Sequence, residues 1–322
     1  ITNTSHTLYK YFPVFPMSSS QAQDNKKIGV GIIGLSARGG WAASAHVPAL
    51  RLLPEFEIRA LTASTIDSAQ EAAQKFGVPH YFVDPNDLAS HPDVDLVIIS
   101  VKVPEHYRLV ECALRAGKMV YCEWPLGASL DEAIRLDELA REKGVRNFVG
   151  LQARASPPLQ YVRDLVQKEQ YVGEVLSTSM IGSGLAWGEA IDQRNQYLLN
   201  RSNGATLLSI PFGNSVDAMC WVLGTEFTEL CSTEAIRRTE MRSIETNEPL
   251  QNTTPDQVAV NGVLQNGAVA SVHYRGGLSR GTNFLWEING TKGDLVISGA
   301  TGHLQFANVT IRGATGNDQS LV

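Results

Sequence analysis

The chain has 322 residues, of which 43% are hydrophobic, and this length favours two domains because single hydrophobic cores stop growing near roughly 250 to 300 residues. Its formal net charge is −6 and it contains no basic run. A protein that binds nucleic acid directly normally carries a basic patch, so these features argue against direct nucleic-acid binding.

The cysteines and the hydropathy pattern indicate the compartment. Cys112, Cys122, Cys220 and Cys231 form no CxxC pair, so we expect free thiols, a reducing compartment and no metal site. No apolar run approaches the ~20 residues that cross a bilayer, and the N-terminus lacks the apolar core of a signal peptide. The sequence therefore predicts a cytoplasmic protein.

The first predicted domain follows a polar leader. Residues 1–27 are aperiodic and predicted to be disordered. From residue 28, "IGVGIIGL" reads as a buried strand, "SARGG" as a turn and "WAASAHVPALRLL" as a helix. Apolar strands and helices then alternate to about residue 150, which predicts an α/β domain with a doubly wound parallel sheet, the NAD(P)-binding Rossmann arrangement.

The second predicted domain, residues 151–322, differs in kind. One helix in "SPPLQYVRDLVQKE" precedes a series of strand-like runs, and Asn266-Gly267 between two of them is a strong hairpin signal. We expect an α+β domain with a large, mostly antiparallel, open-faced sheet. The chain stops just after a strand, so this domain is expected to be truncated at its C-terminus.

The first turn carries a dinucleotide-binding pattern. Gly34, Leu35, Ser36, Arg38 and Gly39 connect the first strand to the first helix, where backbone N–H groups favour a pyrophosphate. Ser36 stands where the middle glycine of GxGxxG is usual, so the fingerprint is imperfect.

The end of the second strand bears on the choice of cofactor. Ser64 and Thr65 stand where NAD-selective folds often carry an acidic residue for the ribose hydroxyls. Arg38 can pair with a 2′-phosphate, although an exposed arginine more often only faces solvent. The sequence therefore favours NADP slightly over NAD.

Three segments together carry a family resemblance: "VGIIGL…GWAASAHVPAL", "DLVIISVKVPEHYRLVECALRAGKMVYCEWPLGASLDEA" and "GLQARASPPLQYVRDLV". Across residues 28–312 the chain resembles the Gfo/Idh/MocA oxidoreductases, and within them the fungal Gal80-like branch. The resemblance implies a Rossmann domain, a C-terminal sheet that often mediates oligomers, and a nicotinamide cofactor between the two.

Two family motifs are altered. Members that oxidise sugars or polyols usually read Glu-Lys-Pro where this chain has Glu123-Trp124-Pro125, and an indole cannot act as a base. Active relatives also carry an Asp and a His, four residues apart, where this chain has Ile210 and Asn214. If this protein oxidises polyols, other residues must therefore catalyse the reaction; otherwise it does not catalyse it at all.

Other side chains are candidates for the missing acid/base role. Lys102 follows an apolar strand at the carboxyl edge of the sheet, where open α/β folds bind ligands. The catalytic candidates are Lys102, Glu123, Tyr197 and Asn214. Structural roles also fit, since Lys102 can neutralise phosphate and Glu123 can cap the following helix.

Further residues are predicted to contact the cofactor. Trp41 either lies along the dinucleotide or fills the helix–sheet junction, and His46 is expected to pack the same helix. Besides the turn residues and Ser64, the predicted cofactor-binding residues are Trp41, Ser100, Val101, His106, Glu123, Trp124 and Arg154. Arg154 fits hinge packing equally well, His106 fits an ordinary helix position, and Trp187 is a candidate wall of the substrate pocket.

Three functions follow from these residues. The first is an NAD(P)-binding oxidoreductase that acts on a small hydroxyl or carbonyl compound, sugar-like or a secondary metabolite. The second is a Gal80-like regulator, cytoplasmic or nuclear, that binds an activator protein, although an acidic surface suits an acidic activator poorly. The third is a redox-silent isomerase, lyase or cyclase. A homodimer through the second sheet is expected.

Overall fold

The computed structural model describes residues 26–322, which form two α/β units built on two large sheets. The predicted leader falls almost wholly outside the described residues. The first sheet is parallel, with strand order β3-β2-β1-β4-β5-β6. Its strands are β1 Ile28–Ile33, β2 Phe56–Thr62, β3 His80–Phe82, β4 Leu96–Ile99, β5 Met119–Glu123 and β6 Asn147–Gly150. Its helices are α1 Val47–Arg51, α2 Ile66–Phe76, α3 Pro85–Ser90, α4 His106–Arg115 and α5 Leu130–Lys143. The predicted doubly wound sheet is confirmed.

Local signals explain where these helices begin and end. Thr65 caps α2 by accepting a hydrogen bond from the Ser68 N–H, and Ser129 caps α5 through the Glu132 N–H. Gly77 and Gly144 end the two helices with left-handed φ angles of 70° and 63°. Because all the strands are parallel, their carboxyl ends lie at one edge of the sheet.

The first helix is wound differently from the prediction. Residues Ala42–His46 form a π-helical segment before α1, and the Val47 N–H donates to the Ala42 carbonyl. Pro48 has no N–H to donate to the preceding turn, so the regular i→i−4 ladder cannot continue through it. The wider turn follows directly after the glycine turn of β1.

The second large sheet has seven strands in the order β16-β15-β14-β7-β13-β12-β9, with one parallel pair, β13 and β7. Helices α6 Pro157–Gln167 and α7 Gly213–Leu223 pack on one of its faces. Its strands are β7 Val175–Gly184, β9 Phe227–Ala235, β12 Gln257–Leu264, β13 Val269–Gly276, β14 Phe284–Gly290, β15 Gly293–Gly299 and β16 Val309–Thr315. A small sheet joins β8 Ala190–Ile191, β10 Glu240–Ser243 and β11 Pro249–Gln251.

The alternation along β13 shows why one face of this sheet is open. Val272 and Tyr274 are buried, whereas Val269 and His273 are exposed on the opposite face. The Tyr274 ring lies over Gly182, where an added Cβ would be 2.0 Å from the ring. The mostly antiparallel, open-faced sheet is therefore confirmed. No helix within residues 26–322 combines the length and apolarity of a membrane span.

Candidate functional site

A cleft of about 470 Å³ lies between the carboxyl edge of the first sheet and the second unit. This volume is within the range of small-molecule pockets, and the position is the usual ligand site of an open α/β sheet. Of the residues singled out in the sequence, the cleft is lined by Gly34, Trp41, Ser100, Val101, Lys102, Glu123, Trp124, Tyr197 and Asn214. Most of the candidates thus meet in one place.

Two candidate acid/base residues are in contact. Lys102 follows β4, and Tyr197 lies in a 3₁₀ segment, Gln193–Leu199, of the second unit. The Lys102 Nζ is 5.0 Å from the centroid of the Tyr197 ring, a cation–π geometry. Burial raises the pKa of the Tyr197 hydroxyl, so the phenol stays protonated at neutral pH. The ammonium therefore lies over the ring of a tyrosine whose hydroxyl remains a proton donor.

Glu123 lies at the end of β5, and each of its two carboxylate oxygens has a hydrogen-bond partner. Its Oε1 is 2.5 Å from His46 Nε2, and its Oε2 accepts a hydrogen bond of 2.7 Å from Gln152 Nε2. The cap of α5 is Ser129 instead of Glu123. His46 therefore does more than pack its helix, since it orients a carboxylate on the wall of the cleft.

Trp124 connects the two units at the position of the family lysine. Its Nε1 donates to the Ser209 carbonyl at 2.5 Å, and a Cβ added at Gly213 would be 3.2 Å from the indole. The peptide bond to Pro125 is cis. The indole N–H is occupied by this hydrogen bond and has no titratable proton near neutral pH.

Asn214 leaves one polar atom without a partner. The side chain is 3% exposed and its Nδ2 donates to the Ile210 carbonyl at 3.0 Å. Its Oδ1 has no hydrogen-bond partner among the described residues. Since buried polar atoms are nearly always paired, this oxygen is a candidate acceptor for a ligand hydroxyl.

Gln305, which the sequence did not single out, lines the cleft beside a buried histidine. His303 Nε2 accepts the Leu185 N–H at 3.0 Å, so the neutral ring carries its proton on Nδ1. Nδ1 faces the Gln305 amide at 3.4 Å, and a rotated amide would accept that proton through Oε1. Gln305 then presents its NH₂ group as a donor.

The glycine turn after β1 fits a phosphate group. A Cβ added at Gly34 would lie 2.5 Å from the Ser100 carbonyl oxygen, and Gly39 and Gly40 have φ angles of 103° and 115°. Only glycine adopts such a turn easily. Ser36 Oγ accepts the Arg38 N–H, while the Leu35 side chain is fully buried. Trp41 Nε1 is buried without a partner in the described chain, which leaves a donor near the turn.

Several predicted residues lie away from the cleft walls. The His106 ring is buried between the carbonyl groups of Pro125 and Val101, and burial lowers its pKa. Arg154 pairs with Asp217 and lines a separate groove. Trp187 is 1% exposed in the core, so it is not a pocket wall. Ser64 and Arg38 lie beyond the cleft, and Arg38 Nε faces Glu71 at 3.9 Å.

Three possible metal ligands also meet outside the cleft. His80, His91 and Asp93 bring donor atoms within 4.8 Å of one another at the β3 edge. The cysteine pattern gave no sign of this cluster, because the donors are histidine and carboxylate groups brought together by the fold.

Comparison with known proteins agrees with this geometry. Residues 28–151 match the oxidoreductase family with an NAD-binding Rossmann fold (GFO_IDH_MocA), and residues 157–299 match the Gal80p C-terminal domain. The galactose/lactose metabolism regulatory protein GAL80 of Saccharomyces cerevisiae is 29% identical over 94% of this chain and 74% of its own. Dehydrogenase aclE of Aspergillus oryzae is 32% identical over 85% of this chain and 78% of its own.

A solved structure extends the similarity to the whole fold. The super-repressor mutant E351K of Gal80p from Saccharomyces cerevisiae has a TM-score of 0.86 at 27% identity, covering 92% of this chain and 80% of that chain. The first unit and its family match define a protein with an NAD-binding Rossmann fold, whose nicotinamide cofactor site lies at the carboxyl edge of the sheet. The chain belongs to the Gfo/Idh/MocA oxidoreductase family and carries a Gal80p-like C-terminal domain.

Proposed function

We propose that this protein is an NADP- or NAD-dependent oxidoreductase in which Lys102 and Tyr197 replace the missing family lysine. The observation that supports this function is the Lys102 ammonium 5.0 Å from the Tyr197 ring inside the cleft. Trp124, at the usual lysine position, is engaged with Ser209. The proton-transferring group therefore comes from the neighbouring strand and from the second unit.

The cofactor supplies hydride when it is bound against the turn of Gly34, Gly39 and Gly40. Tyr197 would then give its hydroxyl proton to the carbonyl oxygen of the substrate. The Lys102 ammonium stabilises the phenolate that forms and returns a proton to it. The reverse sequence oxidises an alcohol and passes its proton to solvent through the same pair.

The remaining polar groups suggest the substrate class. Asn214 Oδ1 is a buried acceptor and the Gln305 amide faces the same cleft. A neutral compound with several hydroxyl groups, sugar-like or a hydroxylated secondary metabolite, satisfies such groups better than a hydrocarbon does.

A coupled assay tests this function. Purified protein should bind NADPH or NADH by calorimetry and consume it, followed by absorbance at about 340 nm, with at least one member of a panel of hydroxylated aldehydes and ketones. Tight cofactor binding with no consumption across the whole panel would contradict the oxidoreductase proposal.

A preference for NADP is a separate expectation. No acidic side chain ends β2, and the exposed Arg38 in the first turn is proposed to pair with a 2′-phosphate in place of Glu71. Arg38→Ala should weaken NADPH binding roughly tenfold and leave NADH binding unchanged. Arg59→Ala, which removes a half-buried arginine paired with Glu57, is the control. Equal NADPH affinity in wild type and Arg38→Ala would refute this preference.

A regulatory function is the second candidate, and the similarity to GAL80 over more than nine-tenths of the chain supports it. The indole of Trp124 at the usual catalytic position fits an inactive site. In this case the cofactor-bound protein would bind an activator protein, in the cytoplasm or nucleus. Capture of a transcription activator from fungal extract only when NADP or NAD is added would favour this candidate.

The open face of the seven-stranded sheet is proposed to form a homodimer in either case. Ile181 and Val269 expose apolar side chains on it, and exposed apolar patches commonly mark interfaces. Light scattering should give twice the monomer mass.

A further inference from the structure

A side chain from the second unit touches the glycine turn of the first. Arg194 belongs to the 3₁₀ segment Gln193–Leu199, and its Nη2 donates to the Gly39 carbonyl at 2.8 Å. The two residues are 155 positions apart in sequence. The guanidinium therefore bridges the cleft at the turn proposed above to bind phosphate.

The contact requires the absence of a side chain at residue 40. A Cβ added at Gly40 would lie 2.6 Å from Arg194 Nη2 and 3.2 Å from its Cζ. A Cβ at Gly39 would lie 3.9 Å from Nη1. The guanidinium plane is thus held directly against the turn, with most of its five N–H donors left for another acceptor.

The turn departs from the usual dinucleotide-binding pattern in two ways. Ser36 occupies the middle glycine position, and the first helical segment after the turn is π-wound in place of a regular α-helical start. Arg38 faces Glu71. Of the basic residues that line the cleft within the described chain, Lys102 lies over Tyr197. Arg194 is the cation left to face a diphosphate.

We propose that Arg194 binds the pyrophosphate of the dinucleotide, so that both domains hold the cofactor. This inference rests on the proposed cofactor-binding function. Arginine suits the role because its planar fork can donate two parallel hydrogen bonds to phosphate oxygens. Trp41 packs on Phe306 of the second unit, with ring centroids 5.9 Å apart, beside the same turn. Cofactor binding therefore stabilises the apposition of the two domains.

Calorimetry with three ligands tests the assignment. NADPH, NADH and ADP-ribose share a pyrophosphate, so Arg194→Gln should weaken all three by a similar factor, roughly 10- to 100-fold. Arg194→Lys keeps the positive charge but loses the two parallel N–H donors of the guanidinium. Its ligand affinities should therefore lie between those of wild type and Arg194→Gln. Arg201→Gln, which removes an exposed arginine paired with Glu234, should bind as wild type does.

Thermal melting separates this role from a structural one. Without ligand, Arg194→Gln should melt close to wild type, whereas the rise in Tm that NADPH produces should largely disappear. Unchanged affinity for all three ligands in Arg194→Gln would overturn the inference and leave the cofactor proposal standing. A loss confined to NADPH would also overturn it, because it would indicate contact with the 2′-phosphate. A wild-type protein that binds none of the ligands would overturn both.

Discussion

Replacing Lys102 with methionine should lower turnover by roughly 10²- to 10⁴-fold, the usual contribution of a positioned acid/base group. Methionine keeps much of the length of the side chain but removes the ammonium over the Tyr197 ring. Tyr197→Phe keeps the ring and removes the proton, so it should cause a similar loss. Both variants should retain cofactor affinity within a few-fold, which calorimetry can check.

The double variant makes the test sharper. Residues that act as one unit are not additive, so Lys102→Met combined with Tyr197→Phe should be about as slow as either single variant. Lys143→Met, at the exposed C-terminal end of α5, is the control for loss of a lysine. Multiplicative losses in the double variant would show that the two side chains act independently.

Acidification should destabilise the protein through His303. Burial lowers the pKa of His303 to about 4, against 6.5 for a free histidine. The unfolded chain therefore binds the proton first as the pH falls. Stability is complete above about pH 6.5 and is lost progressively toward pH 4, by about 3 kcal/mol from this group. Urea unfolding at a series of pH values measures the slope.

His303→Gln identifies the origin of that slope. Glutamine can still accept the Leu185 N–H but does not titrate, so the variant should flatten the pH dependence between pH 6.5 and 4. His273→Gln is the comparison: desolvation also lowers the pKa of this more exposed histidine on the open face of β13, so its removal should flatten the slope less. If His303→Gln retains the full wild-type slope, other groups must account for acid unfolding.

The fold was predictable because its signals are local. Strand and helix periods, the Thr65 and Ser129 caps and the glycine stops each act within a few residues, and together they specify a doubly wound sheet. The edge positions of Lys102, Glu123 and Trp124 follow from that topology, since the carboxyl ends of parallel strands meet. The sequence suggested both Lys102 and Tyr197, but not the contact between them.

The remaining parts of the site depend on contacts distant in sequence. Arg194 reaches Gly39 only because the second unit folds over the first, and the same packing brings Gln305 to the cleft wall. The π-helical turn after Trp41 arises from Pro48 and not from hydrophobic periodicity. Arg154 was also predicted to contact the cofactor, but its guanidinium group pairs with the Asp217 carboxylate on α7.

The distribution of the tryptophans gives the molecule two separate optical probes. Trp41 and Trp124 line the cleft, whereas Trp187 and Trp286 are almost completely enclosed in the second unit. The fifth, Trp221, lies in a separate groove against Arg163, so Trp221→Phe removes its constant background. Indole emission depends on the surroundings of the ring, so ligand entry should quench the first pair while the second pair stays constant until the chain unfolds. Occupancy and denaturation can thus be read from one fluorescence spectrum, without an attached dye.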